Sequence, residues 1–167
     1  MTGIGRVTRR AWMAAAAVLL IQLVPYGRQH RNPPATRAVA WDTPATARLA
    51  QRGCFDCHSN ETRWPWYASV APVSWRVQHD VDEGRDHLNF SALDTDTEER
   101  TDAVREAART VRQGEMPPRS YLITHPAARL TAAERQTLAR GLERSLAPYG
   151  AHEPIARRDR AEDEDGR

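Results

Sequence analysis

Cys54, Phe55, Asp56, Cys57 and His58 form a C-x-x-C-H segment, and the chain has no other cysteine. Two cysteines cannot staple a chain of 167 residues, so the pair reads as a site. Two thiols two residues apart at a helix end can reach the two vinyl groups on one edge of a haem. The adjacent histidine is then directed under the ring toward iron. The pattern implies one covalent haem c, held by thioethers at Cys54 and Cys57, with His58 as the proximal iron ligand. A thioredoxin-like redox pair needs a βαβ context, which this sequence lacks. A zinc site needs two further ligands at similar spacing, and no second half is present.

A haem iron can take a sixth ligand, and a His/Met pair raises its reduction potential. Of three methionines, Met1 is the initiator and Met13 lies in an apolar N-terminal run. Met116 is the remaining candidate, in Gly114-Glu115-Met116-Pro117-Pro118. Prolines bar helix there, and a stiff loop suits a thioether held over a ring. His79, His87 and His125 are the competing ligands. Trp64, Trp66 and Trp75, with Tyr67, supply the flat apolar walls a large cofactor needs, and their N–H and O–H groups can reach propionates. Arg63, Arg76 and Arg85 can pair with the same carboxylates.

These residues must be positioned by helices. Thr43-Pro44 reads as N-cap and first helical position, opening a helix that runs into C-x-x-C-H. Residues 59–72 read as a loop with one helical turn, and a second helix is expected over about 72–87. Asp94, Thr95 and Asp96 offer N-caps for a third helix of about 96–113, which Gly114 terminates. Thr131 and Glu134 form a capping box for a last helix of about 132–146, where Leu138, Leu142 and Leu146 share a face. Strand signals are absent, so the fold class is all-α.

At the N-terminus, a basic stretch with Arg6, Arg9 and Arg10 precedes an apolar run over 11–24 that is broken only by Gln22. Residues 1–27 read as a membrane anchor or signal segment. An uncleaved anchor would give a single-pass protein of the cell membrane, with its haem domain outside the cytoplasm. Residues 28–42 read as a polar linker, 43–150 as the haem domain, and 151–167 as a disordered charged tail. A net charge of +2 is too even to predict a nucleic-acid partner.

The stretch 54–90 resembles the bacterial haem-binding domain family, a group of cytochrome c-like proteins. The blocks SNETRWPWY, APVSW and EGRDHLNF carry the resemblance, with EMPP, the HP-x-A-x-L-T-x-x-E segment over 125–134, and IQLVPYGR and NPP near the N-terminus. The likeness covers about residues 18–146. It implies a cytochrome c-like helical fold with one haem at Cys54, Cys57 and His58, and it supplies no substrate. The expected function is single-electron transfer with redox partner proteins at the outer face of the cytoplasmic membrane. The alternatives are a haem-based sensor, or a small peroxidase-like enzyme using His79, His87 or Asp80 beside a displaceable sixth ligand.

Overall fold

The computed structural model describes residues 2–93 and 98–150. The N-caps expected at Asp94, Thr95 and Asp96, and the tail over 151–167, lie outside the described residues. Seven α-helices follow in order: α1 (Thr2–Ile21), α2 (Pro44–Gly53), α3 (Phe55–His58), α4 (Val73–His87), α5 (Glu98–Gln113), α6 (Arg119–Thr124) and α7 (Ala132–Gly150). Single 3₁₀ turns sit at Trp66–Ser69 and Pro126–Ala128. Among the described residues the extended pairing is one isolated bridge, Arg37 with Ala92. Among the described residues the regular structure is all-helical, as the sequence signals require.

Local chemistry explains the helix ends. The Thr43 side chain accepts from the Thr46 amide, and Pro44 opens α2. Gly114 adopts φ +78° and stops α5, a conformation that costs glycine least. Thr131 and Glu134 exchange both bonds of a capping box at the start of α7. The backbone and side-chain bonds from Thr131, with Arg52 donating to the same carboxylate, hold Glu134 at about 2. The one helix without a sequence signal is α6, a six-residue stretch immediately after Pro118.

The core gathers where α5 and α7 pack along each other. Val104, Ala108 and Val111 meet Leu138, Leu142 and Leu146, all buried. Helix α2 crosses α7 at a position where no side chain fits. A Cβ on Gly141 would stand 2.2–2.8 Å from three atoms of Thr46, which is itself fully buried. Trp41, Phe55 and Phe90 close the other end, with the Trp41 and Phe90 rings edge-to-face at 5.2 Å.

The segment read as a linker is tied to this core. Thr36 and Arg37 donate to Ser91 O, Val39 donates to Phe90 O, and Leu93 donates to Arg37 O. Val39 is buried. The prolines before it exclude helix, which leaves its backbone free to pair with 90–93.

The membrane-anchor reading is corrected. Among the described residues no helix is long and apolar enough to cross a membrane. The reading counted apolar residues through 24 and on to 27. In the fold, α1 takes up the basic residues and ends at Ile21, so its apolar part, residues 11–21, spans only about 16 Å. A bilayer core is about 30 Å thick. The residues beyond Ile21 belong to the folded domain. The Gln22 side chain donates to Ala71 O and accepts from Ala71 N, both at 2.9 Å. Gly27, at φ +80°, lies so close to Ser74 O that a Cβ would stand 2.4 Å from it. The lone polar residue of the apolar run is a tether, and with it the single-pass membrane location falls.

Gly141→Ala should destabilise the fold by about 2 kcal/mol, the ordinary cost of overpacking. Adding Thr46→Ala removes two of the three opposing atoms and should recover part of that loss. Denaturant unfolding of the four proteins of this cycle measures the coupling. Independent, additive losses would mean the helices do not meet there.

Candidate haem site

Helix α3 has four residues and sends its side chains in three directions. Phe55 enters the core, stacked on Phe90 at 5.9 Å. Asp56 is buried among polar groups. Cys57 and His58 face a cavity of about 580 Å³, as does Cys54 just before the helix. This volume lies within the range of small-molecule and cofactor sites, about 300–1,000 Å³. Helix α4 lies against the motif because Gly84 has no side chain: a Cβ there would stand 2.5 Å from Cys57 O.

His58 is oriented from behind. Its Nδ1 lies 3.0 Å from Leu88 O, so Nδ1 carries the proton and donates, which leaves Nε2 as the free lone pair. Burial lowers its pKa, against the opposing pull of the bonds to Leu88 and Gly84. The ring is thus held in the neutral form that a metal requires. The next residues fix the helix exit: Phe90 N donates to His58 O, and Ser59 Oγ donates to Phe55 O.

Burial raises the pKa of both thiols. Burial, with Cys57 nearby, pushes Cys54 up to about 12. Burial, with Asp80 and Asp56, pushes Cys57 up to about 11. Redox-active C-x-x-C pairs depend on a depressed thiol pKa, and the shift at both cysteines here runs the other way. Among the described residues there is no cluster of three or more metal-ligating side chains of the His, Cys, Asp and Glu types.

Met116 reaches the same cavity from the loop between α5 and α6. Pro117, its neighbour, approaches Gly53 so closely that a Cβ there would stand 3.3 Å from the proline ring. The loop is therefore seated directly on the residue that precedes Cys54. His87 and His125 also line the cavity, whereas His79 does not. His79 instead faces Glu83 at 3.3 Å on the exposed side of α4. His125 stacks on Tyr121 at 4.1 Å.

The tryptophans stand elsewhere. None of Trp64, Trp66 and Trp75 lines the cavity. Trp64 stacks on His30 at 4.7 Å and donates to Asn32. Trp66 is 81% exposed. Trp75 buries its Nε1 with no partner among the described residues. Of this aromatic group the cavity wall takes Tyr67 alone. Arg63 and Arg76 line the cavity. Arg85 is occupied: it donates to Ser59 O, Arg31 O, Asn32 Oδ1 and Thr62 Oγ1, clamping the N-terminal segment to the motif's exit loop.

A polar wall escaped the sequence reading. Tyr121 donates to Asp56 Oδ2 at 2.6 Å, and Arg63 donates to Asp56 Oδ1 through its amide and its Nε. Tyr67 donates to Thr124. Burial first, then the bond to the Asp56 carboxylate, raises the Tyr121 pKa. The one signal available was a carboxylate inside the motif, since a buried charge needs partners. Nothing in the spacing pointed 65 residues on to Tyr121.

A family model described as a haem-binding domain matches residues 16–144. No curated protein matches the chain, and no solved structure does.

Tyr121→Phe removes a bond to a buried carboxylate and should cost about 2 kcal/mol in denaturant unfolding. A loss below about 0.5 kcal/mol would show that the phenol does not bond Asp56 in solution.

Proposed function

The chain belongs to the haem-binding domain family, and from that premise we propose that it carries one covalent c-type haem and passes single electrons to redox partner proteins. The observation that supports this reading is convergence. Cys54, Cys57, His58 and Met116, three from one segment and one from 58 residues further on, line a single cavity of cofactor size. In this reading Cys54 and Cys57 would hold the porphyrin covalently, and His58 Nε2 and Met116 Sδ would be the iron ligands. When bound, the haem supplies a one-electron couple whose potential its axial ligands and burial set.

The chain's own residues do the rest. Leu88 O fixes the His58 tautomer and raises its basicity as a ligand. Gly84 lets α4 close the cavity wall behind Cys57. Leu88, Phe90, Val81 and Leu142 exclude water from that wall, and a dry site limits reorganisation around the charge. Asp56, Arg63 and Tyr121 pair among themselves, so this buried carboxylate is already partnered on its side of the cavity.

One observation favours a second reading, a sensor or peroxidase-like centre with a displaceable sixth ligand. Met116 is 38% exposed, and His87 and His125 line the same cavity, so the position over the iron has competitors. The two readings diverge on the spectrum. For electron transfer, the ferric protein should be low-spin and indifferent to peroxide and carbon monoxide. Met116→Ala should make it high-spin or able to bind added ligands. An unchanged low-spin spectrum in that variant would assign the sixth position to a histidine.

Covalent attachment has its own test. Produced in a host that matures c-type cytochromes, the wild-type chain should retain haem through acidic organic extraction. The Cys54→Ala, Cys57→Ala double variant should release all of it. Haem that extracts from the wild type would remove the thioether assignment while leaving haem binding intact.

A further inference from the structure

Met116 has two sides. One lines the cavity of Cys54, Cys57 and His58, and the other lines a second pocket of about 350 Å³. That pocket draws on Arg119, Arg129 and Arg135 over an apolar surface of Pro117, Leu122 and Leu130. What marks its three guanidiniums is that they gather at one pocket, since isolated exposed arginines such as Arg48 and Arg140 also lack a carboxylate within 4 Å among the described residues. Arg52, Arg63, Arg76, Arg105, Arg109, Arg112 and Arg144 each sit within 4 Å of a carboxylate. None of the three pocket arginines has a carboxylate partner among the described residues. Arg135 is also held in place. Its Nη1 donates to Leu130 O, and its guanidinium rests over Gly114, 3.7 Å from where a Cβ would be. The pocket thus places positive charge beside apolar surface with no paired carboxylate among the described residues.

We propose that this pocket binds a small organic carboxylate, with the carboxylate among Arg119, Arg129 and Arg135 and a short apolar tail on Leu122, Leu130 and Pro117. Guanidinium forks match a carboxylate in two parallel bonds. The apolar floor gives no contact to a compact inorganic anion, so a tailed ligand gains what phosphate cannot. The volume is near the lower end of ligand sites, about 300 Å³, which restricts the tail to a few carbons. Because Met116 lines both spaces, an occupant that prefers one position of the 114–119 loop also biases the thioether, and the coupling is reciprocal. That consequence rests on the haem reading above. The binding itself does not.

The test is calorimetric titration of the full-length protein, its haem content measured, with hexanoate as the probe. One hexanoate should bind per chain, more weakly as salt is raised. The Arg119→Gln, Arg129→Gln double variant should bind at least about tenfold more weakly, with an unchanged helical circular-dichroism spectrum. Arg129→Lys, which keeps the charge and loses the fork, should fall between the two. Inorganic phosphate at equal ionic strength should bind at least about tenfold more weakly than hexanoate, because it buries no methylene on the apolar floor. Equal affinity in the double variant, or equal binding of phosphate, overturns the assignment. So does saturable binding that appears only in haem-free chains, since the arginines would then be serving the propionates. A protein that takes up no haem yet binds hexanoate as described would sink the haem reading and leave this one standing.

Discussion

Four consecutive residues cannot face a cofactor, a hydrophobic core and a buried ion pair at once unless their helix is held from every side. Helix α3 meets that demand by close approach. Gly84 brings α4 against the Cys57 carbonyl, and Gly53 brings the Met116 loop against the residue before Cys54. Phe55 locks into Phe90 and the core. With the backbone so confined, the thiols and imidazole have one direction left, which is into the cavity. A side chain at either glycine would act on the site by displacing backbone, without touching any residue of the motif's chemistry.

The polar residues after the motif serve the same constraint. Ser59, Asn60 and Thr62 are buried, and each is bonded. Asn60 N donates to Ser91 Oγ, its side chain donates to Pro34 O, and Asn89 donates to its oxygen. Thr62 donates to Asp56 O. A loop cannot be buried with its backbone groups unpaired, so these short side chains supply the partners that a strand or helix would otherwise provide. The network joins the motif's exit to 89–91 and to 32–34. That is why an apparently idle proline-rich segment is part of the site's frame.

The N-terminal helix illustrates how a composition signal can be reassigned by a single contact. An apolar run flanked by arginines fits an anchor as long as every residue in it is available to the helix. Gln22 is not available, because its amide pairs with both polar groups of the Ala71 peptide. The helix ends one residue earlier, and the apolar length left inside it falls well short of a bilayer core.

Much of this protein was legible in one dimension because its signals are local. The thiol spacing, the Thr43 and Thr131 caps, Gly114 and the leucines of α7 each act over four residues or fewer, so the sequence determined the helix ends and faces they set and marked C-x-x-C-H as the candidate site. It also singled out Met116 by elimination. Tertiary structure alone decided which candidates meet. It brought Met116, His87 and His125 to the cavity, turned Trp64, Trp66 and Trp75 away from it, and joined Asp56 to Tyr121. Such meetings depend on crossings between helices distant in the chain, set by absent side chains at Gly53, Gly84 and Gly141. A missing Cβ leaves no pattern in a sequence; its meaning appears only when another backbone occupies the space.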